Sequence, residues 1–353
     1  MDYINYVKQY PLSMGGMGGT IGSLNFHSGG FTKPDGYNWG GDRGMYGAGQ
    51  TGSGYNDMAN SIKYFGISTL SSVDTFGDST QPRAYGASCS NSTRGIQAGG
   101  YSDPAYWNII EYTTIASTGN ATDFGDCLTT YTMGMAGCSG NSSGGASNAD
   151  RGMFAGGYNP INDVIQYIDI TSTGNAVDFG DMIYVRRQHG AVSNGSRAVW
   201  AGGYSMPQPA FTTRANIDYS TIATTGNATD FGDLAYTVAG ANQGYTGVSS
   251  KTRGVFSGGG TPASPWWGEL QAITIDTTAN ATSIGSQNSS AKGYAGGAAN
   301  GVYGCFMGGI TASSTRTTSM NYITIDTHSS GATTSFGNLG VAREAPFGYS
   351  GDA

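Results

Sequence analysis

Apolar and polar residues alternate with a period of two in short segments spread along the chain, and this alternation predicts β-strands. Val164–Ile170 reads Val-Ile-Gln-Tyr-Ile-Asp-Ile, and Asn216–Ile222 reads Asn-Ile-Asp-Tyr-Ser-Thr-Ile. β-Branched and aromatic residues dominate both segments, as in strands with one buried face. The long runs of Ala, Leu, Glu and Lys that build helical bundles do not occur. The pattern therefore predicts an all-β protein.

A second kind of predicted strand is small, apolar and ends in two glycines. It reads Arg94-Gly-Ile-Gln-Ala-Gly-Gly100 and recurs from Arg151, Arg197 and Arg253, with weaker copies from Arg43 and Tyr303. The last glycines of the six copies fall at positions 49, 100, 157, 203, 259 and 309. The chain is thus an internal repeat with a period close to the roughly 50 residues of kelch blades.

Each period contains two further pieces. One is a strand rich in Gly, Ala and Ser before the Gly-Gly strand, such as His189–Ser193. The other is the phrase Thr-Gly-Asn-Ala-Thr-Asp-Phe-Gly-Asp, present at 118–126 and nearly unchanged at 173–181 and 225–233. With the alternating strand, these pieces predict four short antiparallel strands per repeat, which is one propeller blade. Small residues suit strands crowded near an axis, and we expect the Phe of each phrase to pack between blades.

The order Arg…Gly-Gly…Ile-x-Tyr…Thr-Gly-Asn…Phe resembles kelch repeats, although kelch blades usually end with Trp where this chain has Phe. The segment Ile217–Leu234 also resembles the hallmark phrase of a glycine-rich, kelch-like group of proteins from tailed, marine phages. This resemblance covers about residues 42 to 353. It implies a β-propeller and, for function, a protein associated with the virion and without a defined activity.

The ends of the chain leave the number of blades open. Val341–Gly351 resembles another first strand with no second strand after it, and Asp2–Val7 alternates like a strand. One C-terminal and three N-terminal strands would complete a seventh blade and close the ring, which removes exposed sheet edges. We favour seven blades, with six as the alternative. Residues 42–353 then form the propeller domain, and residues 1–41 supply strands of the closing blade or a docking arm.

Composition excludes several classes of protein. The 353 residues include 60 Gly without the strict triplet period of collagen, and 23 Tyr, 13 Phe and 5 Trp argue against a disordered chain. Only 16 Lys and Arg stand against 23 Asp and Glu, so the basic footprint of a nucleic-acid binder is missing. No secretory signal begins at Met1 and no run of 18 apolar residues occurs. We expect synthesis in the host cytoplasm and no membrane span.

No residue cluster predicts catalysis, a metal or a cofactor. The four cysteines form no Cys-x-x-Cys pair, and the three histidines lie at unlike positions of the repeat, which disfavours zinc and copper sites. Each Asp-Phe-Gly-Asp turn offers two carboxylates, too few for calcium, so Asp and Asn are expected to cap turns. No nucleophile–base pair is defensible. We predict a protein that is not an enzyme and binds no cofactor.

The loops that follow the Gly-Gly pairs are the most variable segments. They contain six of the ten prolines together with several aromatic residues, a combination typical of contact surfaces. Equivalent loops of a propeller share one face. The alternative is that these aromatics only cover the blades. The predicted binding residues are Tyr101, Tyr106, Trp107, Tyr158, Tyr204, Trp266 and Trp267.

These features predict a non-enzymatic structural or interaction protein of a phage virion. It would belong to a tail appendage, a tail fibre or a capsid decoration, and host attachment would be a further role. The expected partners are other virion proteins, a host-surface glycan or protein, and further copies of the chain in the particle. The alternative function is a carbohydrate-active or oxidative enzyme on the same scaffold.

Overall fold

The structure is a computed structural model that describes residues 41–352 except 55, 131, 141–149, 159, 206–211, 236–243, 260–267, 288–291 and 312–314. All described residues belong to one unit, Lys33–Ala353. Within these ranges the regular structure consists of strands, and no helix is present. The predicted all-β class is therefore confirmed for the described part of the chain.

Thirty strands are described, and most have four to six residues. In chain order they are β1 (Arg43–Gly47), β2 (Ser61–Gly66), β3 (Asp74–Asp78), β4 (Ala87–Ser90), β5 (Arg94–Ala98), β6 (Tyr101–Ser102), β7 (Ala105–Tyr106), β8 (Ile109–Thr114), β9 (Thr122–Asp126), β10 (Ala136–Gly140), β11 (Arg151–Ala155), β12 (Val164–Asp169), β13 (Val177–Asp181), β14 (Gly190–Ser193), β15 (Arg197–Ala201), β16 (Tyr204–Ser205), β17 (Thr212–Thr213), β18 (Asn216–Thr221), β19 (Thr229–Asp233), β20 (Thr246–Ser249), β21 (Arg253–Ser257), β22 (Glu269–Thr274), β23 (Thr282–Ser286), β24 (Lys292–Gly293), β25 (Gly296–Ala299), β26 (Tyr303–Met307), β27 (Ile310–Thr311), β28 (Ser319–Thr324), β29 (Thr334–Asn338) and β30 (Phe347–Gly351).

The described strands form six four-stranded antiparallel sheets, each a blade of a propeller. From the inside outward, blade 1 is β30-β1-β2-β3, blade 2 is β4-β5-β8-β9 and blade 3 is β10-β11-β12-β13. Blade 4 is β14-β15-β18-β19, blade 5 is β20-β21-β22-β23 and blade 6 is β25-β26-β28-β29. The innermost strands contact one another in the cyclic order β30, β4, β10, β14, β20, β25 and back to β30. Three two-stranded sheets lie outside the blades: the hairpins β6-β7 and β16-β17, and the pair β24-β27, whose strands flank the first two strands of blade 6 in the chain.

The preference for seven blades is wrong for the described residues, which form six. The last strand, β30, begins no further blade. It pairs with β1 from Arg43↔Gly351 to Gly47↔Phe347. The first repeat starts at its second strand, so β30 supplies the innermost strand that blade 1 lacks. The N-terminal strands expected to help close the ring lie outside the described residues, as does the proposed docking arm, and the boundary at residue 42 stays a prediction.

Glycine near the axis is required by the approach of neighbouring inner strands. A Cβ on Gly247 would lie 2.0 Å from the backbone oxygen of Ala191, and one on Gly348 would lie 2.4 Å from that of Gly297. Neither contact leaves room for any side chain. The Gly-Gly pairs add a second requirement, because Gly99 and Gly100 have φ values of 64° and 110°. The expected crowding at the axis is confirmed.

Serine hydroxyl groups link the innermost strands from blade to blade. Ser139 Oγ donates to the backbone oxygen of Ser90 at 2.6 Å, and Ser193 Oγ donates to that of Ser139 at 2.6 Å. Ser90 Oγ donates to Ser350 O at 2.7 Å, and Ser350 Oγ donates to Ala299 O at 2.5 Å. These residues surround an axial cavity of about 100 Å³. Ser249 and Ala299 occupy the two remaining equivalent positions, and Ala299 has no hydroxyl group to donate.

An Arg–Tyr–Phe stack joins each of blades 1 to 4 to the blade that follows it. In blade 2, the Arg94 guanidinium lies 4.7 Å from the ring centroid of Tyr112, which meets Phe124 edge-on at 6.1 Å. Arg94 Nη1 then donates to the backbone oxygen of Ile170 in blade 3 at 2.9 Å. Phe124 is 3% exposed and lies in one cluster with Phe154 of blade 3. The expected packing of this Phe between blades is confirmed.

In blades 2 to 4 a Thr-Gly-Asn turn binds the outer strand of the preceding blade. In blade 5 the turn Thr-Ala-Asn does the same. We call this contact the turn clasp. Asn120 Oδ1 accepts a hydrogen bond from the backbone N–H of Asp78 at 3.0 Å, and Gly119 N donates to Phe76 O at 3.0 Å. The same Asn contact recurs at Asp126–Asn175, Asp181–Asn227 and Asp233–Asn280, with lengths of 2.9 to 3.1 Å. The prediction that Asp and Asn cap Asp-Phe-Gly-Asp turns needs correction, because this phrase lies in an outer strand. Asn does have a capping role, but the strand that it caps belongs to a different blade.

Candidate interaction face

Two sets of connections share one end of the propeller. Because successive strands of a blade are antiparallel, the loops after the Gly-Gly pairs lie at the same end as the linkers that lead from each outer strand into the next blade. Backbone pairing confirms the contact between the two sets. Tyr101 bridges Ala84, and Tyr204 bridges Arg187. We call this end the loop face.

A closed circle of backbone hydrogen bonds lies at the centre of the loop face. Six residues, one from each linker, have positive φ: Tyr85, Gly134, Gln188, Gly244, Tyr294 and Ala345. Each N–H donates to the carbonyl oxygen of the residue before it in the circle, and Ala345 O accepts from Tyr85 N at 3.4 Å to complete it. The other five bonds are 2.5 to 2.9 Å long. The linkers of all six blades therefore fix one another around the axis.

The side chains of the circle build a polar and aromatic cluster. The Tyr85 and Tyr294 rings meet edge-on with their centroids 5.8 Å apart. Tyr85 OH donates to the carboxylate of Glu344, which also pairs with Arg316 at 3.0 Å. Tyr294 OH donates to Gln188 Oε1 at 2.8 Å. Burial, and then the negative charge of Glu344, raises the pKa of Tyr85 well above its usual value, so the phenol stays protonated.

Four of the predicted binding residues form one continuous aromatic row beside this cluster. Tyr101 and Tyr106 lie 4.8 Å apart between ring centroids, and Tyr106 lies 6.5 Å from Tyr158. The guanidinium of Arg187 then lies 3.8 Å from the Tyr158 centroid and 4.6 Å from that of Tyr204. The aromatic row, Tyr101–Tyr106–Tyr158–Arg187–Tyr204, therefore crosses blades 2, 3 and 4.

The predicted residues differ in what they present to solvent. Tyr101, Tyr106, Trp107 and Tyr158 are half-buried, whereas Tyr204 is 5% exposed. Tyr204 therefore contributes to the row mainly through its contact with Arg187. Trp107 is held by its Nε1, which donates to Ser102 Oγ at 2.8 Å. Trp266 and Trp267 lie outside the described residues.

The sequence analysis missed Arg187 and the tyrosines of the circle. It searched only the loops after the Gly-Gly pairs, whereas these residues lie in the linkers. A signal did exist, because aligning the repeats places Tyr85, Gln188 and Tyr294 opposite Gly134 and Gly244. Glycine at an aligned position often marks a positive φ. The stacking of Arg187 between two tyrosines had no such signal, since its partners come from two different loops.

Basic side chains are buried under the loop face. Arg83 pairs with Glu111 at 2.9 Å and Arg186 pairs with Asp218 at 2.7 Å, with every one of these side chains fully buried. At the equivalent place in blade 6, Lys292 Nζ donates to Ser319 O at 3.1 Å and to Ser319 Oγ at 2.9 Å. Burial lowers the pKa of Lys292 to about 7. The register puts Asn321 where Asp218 lies in blade 4.

The chemistry of the face is that of aromatic rings, hydroxyl groups and amides. In the described ranges, no three His, Cys, Asp or Glu side chains come together as metal ligands would. The absence of a bound metal or cofactor stays a prediction. No described segment forms a helix able to cross a membrane. The chain matches no known family model, and no curated protein is similar to it.

Proposed function

We propose that this protein is a non-enzymatic component of a tailed-phage virion that contacts its partner through the loop face. It belongs to a tail appendage, a fibre or a capsid decoration, and is made in the host cytoplasm. The partner is another virion protein or a host-surface glycan or protein. The aromatic row carries this proposal, because it joins variable loops of three blades into one surface that the repeat itself does not demand.

The row is suited to binding because it is already ordered. Ring contacts and the Arg187 stack fix the tyrosines, so little side-chain entropy remains to be lost when a partner binds. Tyr101, Tyr106, Trp107 and Tyr158 each keep part of their surface free. Tyrosine and tryptophan held in this way are the residues that dominate interface hot spots.

The alternative, an enzyme, would need an activated nucleophile, and the hydroxyl–carboxylate pair at the centre of the loop face does not provide one. Tyr85 OH contacts the Glu344 carboxylate, but burial raises the pKa of Tyr85. Ionising this phenol would place a second negative charge beside Glu344 in a buried site. The geometry suits a structural hydrogen bond better than an activated nucleophile.

The first test is mass spectrometry of purified particles of the phage that encodes the chain. The proposal requires the protein in the particle at a fixed copy number, and its absence there would refute the proposal. Tyr106→Ala and Tyr158→Ala are then compared with wild type in particle incorporation and in adsorption to host cells. Truncating one hot-spot tyrosine costs about 2 kcal/mol, or about 30-fold in affinity.

Tyr219→Ala is the matched control. Tyr219 also lies under an arginine, with Arg197 at 4.6 Å, and meets Phe231 edge-on, but it belongs to an interblade stack away from the loop face. The Tyr219→Ala control should keep wild-type incorporation and adsorption. If the Tyr106 and Tyr158 variants have melting temperatures no lower than that of the control and still lose incorporation or adsorption, the result supports the loop face as the contact. Wild-type levels of both in the Tyr106 and Tyr158 variants would assign the contact to another surface.

A further inference from the structure

The outer strand of blade 6 has no turn clasp. The blade that follows it in the ring is blade 1, whose turn reads Leu70-Ser71-Ser72 where blades 2 to 4 have Thr-Gly-Asn. In the outer strands of blades 1 to 4, the clasp engages the N–H and oxygen of the final Asp, and in blades 1 to 3 it also engages the backbone oxygen of Phe. The corresponding groups of β29 are Phe336 O, Asn338 N and Asn338 O. Within the described residues, no hydrogen bond from blade 1 reaches them.

The Phe336 ring packs on Phe65 of blade 1, with the ring centroids 5.6 Å apart. Two neighbouring observations nevertheless agree that no described residue covers the free edge of the β29 backbone. Phe336 is half-buried, whereas its equivalent in blade 3, Phe179, is 3% exposed. A Cβ on Gly337 would meet no described atom within 4 Å. At the equivalent glycines of the other five blades, a Cβ would lie 2.0 to 2.7 Å from the backbone of the next blade.

Charge also separates this edge from the other outer strands. β3, β9, β13 and β19 each contain two Asp residues, whereas β23 and β29 contain no charged side chain. β29 reads Thr-Ser-Phe-Gly-Asn. It is therefore the one outer strand among the six described that is both neutral and uncovered.

We propose that two copies of the propeller associate by pairing their β29 strands antiparallel across a twofold axis at Gly337. In this register Asn338 N of each copy donates to Phe336 O of the other, which uses the groups left free by the missing clasp. The two Phe336 rings come near each other and lose solvent exposure. In the other blades, the glycine equivalent to Gly337 contacts the backbone of the next blade. In the dimer, Gly337 contacts the backbone of the second copy instead.

The charge pattern explains why a second copy would occupy this edge. A twofold pairing brings two identical strands side by side, so every charge on the strand is doubled within the pair and like charges come close together. Two aspartates per strand disfavour such pairing at blades 1 to 4, and at blade 5 the backbone bonds of Ser286 with Gly331 and Thr333 of blade 6 block it. Among the described outer strands, only β29 escapes both obstacles. A five-residue strand buries less than a standard interface, so the association is weak and depends on concentration.

Sedimentation velocity of the full chain over a concentration series tests the proposal. The double variant Ser335→Asp/Asn338→Asp gives β29 the acidic pattern of blades 2 to 4, which the fold accepts at three other places. We expect the dimer to weaken at least tenfold. The matched control, Ser283→Asp/Ser286→Asp, makes the same change on the covered strand β23 and should leave association at the wild-type level.

A cysteine at the proposed twofold axis gives a second, independent readout. Gly337→Cys should form a disulfide between copies under mild oxidation by oxidised glutathione, whereas Gly340→Cys, three positions away, should not. The native cysteines, Cys89, Cys127, Cys138 and Cys305, are buried and free.

Two results would overturn the proposal. One is a wild-type chain that stays monomeric at all concentrations together with a Gly337→Cys variant that forms no cross-link. The other is a dimer that the β23 control weakens as much as the β29 variant does.

Discussion

The side-chain oxygen of Asn120 accepts a hydrogen bond from the backbone N–H of Asp78 at 3.0 Å, although 42 positions separate the two residues. Asn120 belongs to blade 2 and Asp78 to the outer strand of blade 1. In blades 1 to 4, the repeat thus places the residue that caps the outer strand in the following repeat. Stability of a blade then depends on its neighbour, which is how repeat proteins behave in general.

Asn120→Ala tests this dependence. The substitution leaves Asp78 N without its partner at a partly exposed site, so we expect a loss of about 1 kcal/mol in the free energy of unfolding. Ser72→Ala is the control, because Ser72 holds the same position in the turn of blade 1, where no clasp forms. Urea unfolding should show the first variant destabilised and the second unchanged. Equal stability of the two would contradict the role of the clasp.

The glycine of the Asp-Phe-Gly-Asp phrase gives a second matched pair. A Cβ on Gly180 would lie 2.5 Å from the backbone of Gly226, and Gly180 has a φ of 145°. Gly180→Ala should therefore cost about 2 kcal/mol or more through clash and strain. The Cβ that Gly337→Ala adds would lie within 4 Å of no described atom, so this substitution should change the free energy of unfolding by less than about 0.5 kcal/mol. Thermal unfolding at low protein concentration compares them, and a larger loss at Gly337 would contradict the prediction.

Ala299→Ser should stabilise the protein. A hydroxyl group at this position can donate to the backbone oxygen of Ser249, as Ser193 donates to Ser139. One additional hydrogen bond is worth about 1 kcal/mol. Ser193→Ala is the reverse change and should destabilise by a similar amount. Denaturant midpoints measure both, and a destabilised Ala299→Ser would show that the axial cavity does not accept the hydroxyl group.

Asn321→Asp should change how stability depends on pH. Burial lowers the pKa of Lys292 to about 7 from 10.5, so between these values the unfolded chain binds more protons at Lys292 than the folded chain. Because of this difference, the wild type gains stability from Lys292 as pH rises from about 7 towards 10.5, and the contribution of Lys292 is least favourable below pH 7. A carboxylate at 321 gives the ammonium the partner that Arg186 has in Asp218 and raises the folded pKa.

The difference between the Asn321→Asp variant and the wild type isolates this effect from other titrating groups. The stability of the variant relative to wild type should be highest at pH 6 to 7 and should decline towards pH 8.5. Asp218→Asn provides the reciprocal change, since it removes the carboxylate from Arg186 and should destabilise at neutral pH. Urea unfolding of both variants at several pH values makes the comparison. A flat difference profile for Asn321→Asp would contradict the assignment.

The sequence was sufficient to predict the elements that each repeat builds on its own. Alternation and the Gly-Gly phrase located the strands, and the recurring Phe was correctly expected between blades. The number of blades was not predictable in this way, because Phe347–Gly351 has the same pattern whether it begins a new blade or completes the first. Contacts such as Arg187 with Tyr158 and Tyr204 join loops of different repeats, and no spacing along the chain encodes them.

The pairing of β1 with β30 joins Arg43 to Gly351, and this contact has a kinetic consequence. Blade 1 cannot gain its innermost strand until the five blades between its two parts have been made and arranged. Closing so long a loop is entropically slow, and contacts of this range reduce folding rates. The same topology slows unfolding, because the ring cannot open at β30 without breaking the whole β1–β30 strand pair. Slow assembly and long persistence are therefore expected from one pair of strands.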